Sequence, residues 1–159
     1  MANTAIYPGS FDPFTYGHLD IVRKSAKLFD RVYILIGVNT AKSRSFDCEA
    51  MKTAIEETLR HEGLSNCEVC TYEGLVAVFA AERKIGYMIR GLRNSLDYNY
   101  EENIAEVNNL INPNLEYVYF RAENVAVSSP MVRELLAFGR DVSKYVPRPV
   151  IDMLEHSQL

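Results

Sequence analysis

An excess of positive charge is missing from this sequence. Its 17 lysines and arginines stand against 21 aspartates and glutamates, a net charge of −4. Dedicated nucleic-acid binders carry a basic face, and anionic membrane surfaces attract basic segments, so neither partner is expected. Cysteine is scarce: Cys48, Cys67 and Cys70 make an odd, low count that does not suggest a disulfide framework. Cys67-Glu-Val-Cys70 has metal-like spacing. A structural zinc site needs four ligands, however, and residues 66–72 read as a strand, where positions three apart point to opposite faces. Two half-buried strand thiols are expected, and no metal held by side chains. No stretch approaches the ~18 apolar residues of a membrane span. No basic segment followed by an apolar run opens the chain, so a cytoplasmic location is expected. Both common nucleotide fingerprints, Gly-x-Gly-x-x-Gly and the P-loop, are absent as well.

What remains is ordinary globular composition, 48% hydrophobic and 24% charged over 159 residues, the size of one domain. Short β-prone runs at residues 4–7, 31–37, 67–72, 87–89 and 115–120 alternate with helical periodicities. Leu19, Val22, Ala26 and Phe29 recur at helical spacing, as do Met51, Ala54, Ile55 and Leu59 behind a capping Asp47. Further helices are expected at about 75–83, at 96–111 with Tyr100, Ile104, Val107 and Ile111 on one stripe, and from Ser128 or Ser129 with Pro130 in the first turn. Pro147-Arg148-Pro149 starts a last one. The order predicts an α/β fold: a Rossmann-like, doubly wound, five-stranded parallel sheet with helices on both faces and a C-terminal helical segment, in a single domain over 1–159. Ligands in such folds bind beyond the carboxyl ends of the strands. That directs attention to loops 8–17, 37–46 and 90–97, and to the turn at 127–130.

The first loop, Gly9-Ser-Phe-Asp-Pro-Phe-Thr-Tyr-Gly-His18, carries the strongest chemistry. Gly9 allows a tight exit from the strand. Ser10 offers a hydroxyl and an N–H, and Gly17 permits close approach of a ligand or backbone. His18 starts a helix, where free N–H groups and the dipole favour an anion.

Thr15-Tyr-Gly-His18 resembles the (His/Thr)-x-Gly-His signature of small nucleotidyltransferases. Ile89-Arg-Gly-Leu-Arg93, Asp97-Tyr-Asn-Tyr-Glu101 and Val127-Ser-Ser-Pro-Met-Val-Arg133 resemble, in order, further motifs of one of its families, the bacterial phosphopantetheine adenylyltransferases. Lys42 falls where that family places a substrate-binding lysine. The resemblance covers nearly the whole chain. It implies transfer of an adenylyl group from ATP to 4′-phosphopantetheine, giving 3′-dephospho-coenzyme A and pyrophosphate, with Mg²⁺ reached through the ATP phosphates. It also implies a homohexamer.

By the same resemblance His18, Ser10, Lys42 and Arg93 are expected to be catalytic. Ser10, Phe11, His18, Gly91, Leu92, Arg93, Glu101, Asn124, Val127, Ser128, Ser129 and Pro130 are expected to meet ATP. Ser10, Lys42, Leu75, Val76 and Arg90 are expected to meet phosphopantetheine. A phosphate monoester is already largely dianionic at pH 7, so its attack on the α-phosphorus needs alignment and charge stabilisation rather than a strong base.

Several positions depart from the family pattern. Ser10 replaces the commoner Thr, Pro130 replaces a Ser or Thr, Asn124 and Ala126 stand where aromatics are common, and Val78 replaces a polar residue. Two other readings stand beside this one. A cytidylyltransferase acting on a polyol phosphate usually has His at the Thr15 position and lacks the Arg-Gly-Leu-Arg loop. A nucleotide-binding protein without catalysis draws support only from Pro130 and Asn124.

Overall fold

The computed structural model describes residues 2–39, 41, 43–123 and 127–157. Strand and helix alternate along the chain: β1 Thr4–Gly9, α1 Tyr16–Leu28, β2 Arg31–Gly37, α2 Cys48–His61, β3 Cys67–Tyr72, α3 Val76–Glu82, β4 Tyr87–Leu92, α4 Ser95–Ile111, β5 Glu116–Arg121, α5 Ser129–Ala137 and α6 Arg148–Ser157. The strands form one parallel five-stranded sheet in the order β3-β2-β1-β4-β5. The expected doubly wound α/β architecture is the one observed.

Alternation along the strands sends side chains to two cores. Tyr7, Ile34, Ile36, Val69 and Ile89 face α1, α2, α5 and α6; Ile6, Leu35 and Met88 face the side of α3 and α4. Cys67 packs on the first core and Cys70 on the second, so the two thiols point to opposite faces. Burial pushes the Cys67 thiol up to about 11. Among the described residues no three His, Cys, Asp or Glu side chains gather as a metal site. No helix there is long and apolar enough to cross a membrane.

Strand order decides where a ligand can sit. The chain lays β2 and then β3 to one side of β1, and returns to place β4 on the other side. The pairing of β1 with β2 runs to Gly9↔Ile36, whereas its pairing with β4 stops at Ile6↔Met88. The two strands part at their carboxyl ends and open a crevice at the topological switch point.

Three expectations are corrected in detail. Arg90, Gly91 and Leu92 lie in β4, not in a loop, because pairing with β5 carries the strand on to Leu92↔Arg121. Local propensity gives no hint of that, since ladder partners supply it. The helix expected from 75 begins at Val76, with Leu75 as an exposed N-cap. In α4 the apolar stripe does not face the sheet. Tyr100 and Val107 are exposed, and the buried positions are Glu101 and Ala105. Glu101 turns inward because it has a charged partner there.

Candidate active site

The crevice between β1 and β4 widens into a cleft of about 580 Å³. Its floor is Tyr7–Gly9 of β1 and Arg90–Gly91 of β4; its walls are the first loop, the start of α1 and the turn before α5.

Close approach explains the two glycines of the first loop. A Cβ on Gly9 would stand 3.0 Å from the Phe11 ring, which folds back into the core with its backbone at φ 45°. A Cβ on Gly17 would stand 3.1 Å from the Val127 carbonyl, so a side chain there would push the α5 turn off α1. Thr15 caps α1: its Oγ1 accepts from the His18 N–H, and its own N–H donates to the His18 ring. This is a capping box in which histidine takes the place of the usual Glu or Gln.

That cap defines the chemistry of His18. The Thr15 N–H donates to Nδ1 at 3.0 Å, so in the neutral ring Nε2 bears the proton. The ring stacks on Phe14 and meets Phe11 edge-on, with centroids 5.5 and 5.0 Å away. Burial, helped by the Arg90 charge, lowers its pKa to about 4. His18 is thus a fixed, neutral N–H donor on the cleft wall.

Both helix N-termini at the cleft, α1 and α5, lack an acidic residue in the first turn, whereas α2 has Glu49 and α4 has Asp97 there. At these two the Tyr16, His18 and Met131 N–H groups have partners within the protein and Pro130 has none to offer, so the Gly17 and Ser129 N–H groups and the helix dipoles are what an external anion would meet.

Arg90 fills the gap left where β1 and β4 part. Its Nη1 donates to the Pro8 carbonyl at 2.8 Å, and its Nε and Nη2 grip Glu101, both at 2.9 Å. Pro8 has no N–H to lose on that side. Three of the five guanidinium donors are used, leaving one on each terminal nitrogen for the cleft. The Glu101 side chain is only 8% exposed and does not line the cleft; the structure gives it Arg90 as its partner. Arg93, nearer the mouth, is held more loosely: its Nε meets Asp97 at 3.0 Å, and its side chain is 45% exposed. The Arg93 hydrogen bond lowers the pKa of Asp97.

Ser128 caps α5, accepting from the Met131 N–H at 3.3 Å, and Pro130 sits in the first turn. The Ser129 hydroxyl donates to the Pro13 carbonyl at 2.7 Å, so towards a ligand Ser129 offers its backbone N–H. Arg133 does not line the cleft either; its Nη1 donates to the Asp12 carbonyl at 2.7 Å and braces the first loop from below.

The cleft therefore gathers Ser10, Phe11, His18, Arg90, Gly91, Arg93, Val127, Ser128, Ser129 and Pro130 from the sequence-based set. Leu75 and Val76 follow β3 at the same end of the sheet but are not part of the cleft wall, and Leu92 stays within the β4–β5 ladder. Lys42 and Asn124, like Ala126, lie outside the described residues.

Comparison with known proteins agrees with this arrangement. The family model described as cytidylyltransferase-like matches residues 6–135. A phosphopantetheine adenylyltransferase from Cytophaga hutchinsonii is 42% identical over 149 residues, spanning 92% of this chain and 98% of the relative. Its counterparts from Leuconostoc citreum and Thioalkalivibrio sulfidiphilus are 41% and 40% identical, spanning 95% and 98% of this chain and 96% and 98% of theirs. The chain belongs to the phosphopantetheine adenylyltransferase family of cytidylyltransferase-like proteins.

A solved structure from Vibrio parahaemolyticus, provisionally described as a nicotinate-nucleotide adenylyltransferase, superposes with a TM-score of 0.74. That likeness spans 98% of this chain and 93% of the other, at 18% identity, and speaks to the fold alone.

Three residues of this phosphopantetheine adenylyltransferase family member escape a reading of motifs. Tyr7 is buried beside His18, with ring centroids 6.5 Å apart, and burial raises its pKa. Asp12 is buried and accepts from the N–H groups of Ser45 and Phe46 at 2.8 and 2.9 Å. Arg44 reaches across to the first loop, donating to the Ser10 carbonyl at 2.6 Å. The Asp-Pro pair within a turn-rich string is the one signal the sequence offers for them.

Proposed function

We propose that this protein transfers the adenylyl group of ATP to the phosphate of 4′-phosphopantetheine, by direct in-line attack and without a covalent enzyme intermediate. A phosphate oxygen of the acceptor forms the new bond to the α-phosphorus, the bond from that phosphorus to the β-phosphate oxygen breaks, and pyrophosphate leaves. The products are 3′-dephospho-coenzyme A and pyrophosphate.

The observation that carries this reading is the donor set of the cleft. Ser10, the neutral His18 ring, Arg90, Arg93 and two helix N-termini are all suited to anionic oxygens. Such chemistry draws its rate from alignment and from preorganised donors. His18 Nε2–H and Ser10 would stabilise the charge that grows on the equatorial oxygens in the five-coordinate transition state. Lys42 would hold the attacking phosphate. Arg93 would hold the ATP phosphates, with Gly91, Ser128 and Ser129 supplying backbone donors. Phe11, Leu92, Asn124, Val127 and Pro130 would form the nucleotide side. Arg90 would meet phosphopantetheine, kept in aim by Glu101, which would thereby serve the acceptor through Arg90 rather than the nucleotide by contact. Leu75 and Val76 would line the pantetheine arm.

The carboxylates at the cleft mouth, Asp20 and Glu123, are both engaged by Lys24, at 3.2 and 3.1 Å. Mg²⁺ is accordingly proposed to enter bound to the triphosphate, where it supplies further charge neutralisation. A cytoplasmic homohexamer is proposed on the family resemblance. The exposed apolar residues of α4, with Leu96 at 76% and Leu110 at 87%, give such an assembly a surface to cover.

The test is to offer ATP or CTP, with and without 4′-phosphopantetheine, in the presence of Mg²⁺, and to follow pyrophosphate. Release with ATP plus phosphopantetheine alone is expected. Release with CTP, or ATP binding with no turnover in any pairing, would overturn the reading.

A further inference from the structure

We propose that Arg44 is a positioning residue for adenylyl transfer, clamping the loop after β2 onto the loop after β1. The inference rests on the reaction proposed above, but the clamp itself is a matter of geometry. The Arg44 guanidinium donates to three backbone carbonyls: Ser10 from Nη1 at 2.6 Å, Phe11 from Nη2 at 3.4 Å and Phe46 from Nε at 3.1 Å. It also stands 3.7 Å from the Asp12 carboxylate, and both side chains are largely buried, 17% and 10% exposed. Asp12 closes the ring by accepting from Ser45 and Phe46.

The clamp acts on two working parts. It fixes the carbonyls on either side of the Ser10–Phe11 junction, where Phe11 holds a left-handed backbone at φ 45°. A non-glycine residue holds that conformation only when its surroundings over-determine it. It also ties the loop after β2 to the same site, since Ser45 and Phe46 donate to the Asp12 carboxylate beside the guanidinium. Arg44 does not line the cleft, so it works through the Ser10–Phe11 junction rather than on substrate. Lysine cannot replace it, because a point charge cannot span three carbonyls as a planar fork does.

The test compares Arg44→Lys and Arg44→Ala with the unaltered protein, with rates normalised to the folded fraction from melting curves. In Arg44→Lys kcat is expected to fall about 10- to 100-fold, the scale of a displaced catalytic group. The KM for ATP should move less than about threefold, because ground-state binding is kept. Amide hydrogen exchange at residues 10–12 and 45–46 of the free protein should be faster in both variants. An Arg44→Lys variant with unaltered kcat, or a loss explained wholly by unfolding, would overturn the proposal. If the unaltered protein releases no pyrophosphate, the reaction reading fails instead, and unchanged exchange in both variants would then remove the clamp independently.

Discussion

On one face of the sheet α1, α2, α5 and α6 bury Leu19, Ile55, Val132 and Leu154 against Ile34 and Ile36. On the other, α3 buries Phe79 and Ala80, while α4 turns Glu101 inward and leaves Leu96, Tyr100, Val107 and Leu110 in solvent. The first face is closed by apolar packing that runs up to the cleft, where Phe11 and Phe14 belong to the same core and support His18. The second is held near the cleft by charge, through Arg90 and Glu101, and its outer surface is unfinished. The chemistry thus rests on apolar packing from one side and on a buried ion pair from the other. The two arginines of β4 and its exit repeat the contrast on a smaller scale: Arg90 is tied down at three points on two elements, and Arg93, itself exposed, is gripped by half-buried Asp97.

Breaking the packed side should cost most. His18→Ala is expected to lower kcat about 100- to 1,000-fold, the range for removing one preorganised donor, with only a modest change in either KM. Steady-state kinetics check this, and an unchanged kcat would remove His18 from the mechanism. On the charged side, Glu101→Gln leaves Arg90 without its counter-charge. A loss of about 3 kcal/mol is expected in chemical denaturation, as for other broken buried pairs, with a raised KM for phosphopantetheine. Asp97→Asn, at the exposed pair, should cost under about 1 kcal/mol in the same experiment. Equal losses in the two variants would erase the distinction between the arginines.

The outer surface of α4 should respond in assembly and not in folding. Leu110→Glu is expected to stay within about 0.5 kcal/mol of the unaltered stability, as exposed substitutions do. In sedimentation it should shift from the proposed hexamer towards smaller species. The remaining effect is one of pH. His18 is held near pKa 4 when folded and returns to about 6.5 when unfolded. Between those values the unfolded chain binds more protons, so stability falls as pH drops from 6.5 to 4. That part of the slope should vanish in His18→Ala, and proton NMR should find the His18 ring neutral at pH 5.5.

Local signals made much of this legible. The strands, the caps at Asp47 and Ser128, and the switch-point loops follow from periodicity and turn chemistry. What could not be read depends on partners distant in sequence. Arg90–Leu92 extend β4 only because β5 is beside them. Glu101 is buried only because Arg90 is there to receive it, so a helix with an apolar stripe presents its polar side to the sheet. Arg44 looks like any loop arginine until the fold brings the Ser10 and Phe11 carbonyls within reach. Periodicity reports on burial by apolar area; it carries no information about a charge whose partner lies on another element.

The cleft is proposed to align two anions and stabilise one transition state without bonding to either. Stereochemistry tests it most directly. A single diastereomer of ATP carrying sulfur at the α-phosphorus would be turned over with phosphopantetheine, and the configuration at that phosphorus read in the product. One in-line displacement predicts inversion. Retention would mean two displacements, and with them a covalent enzyme intermediate, and would contradict direct transfer.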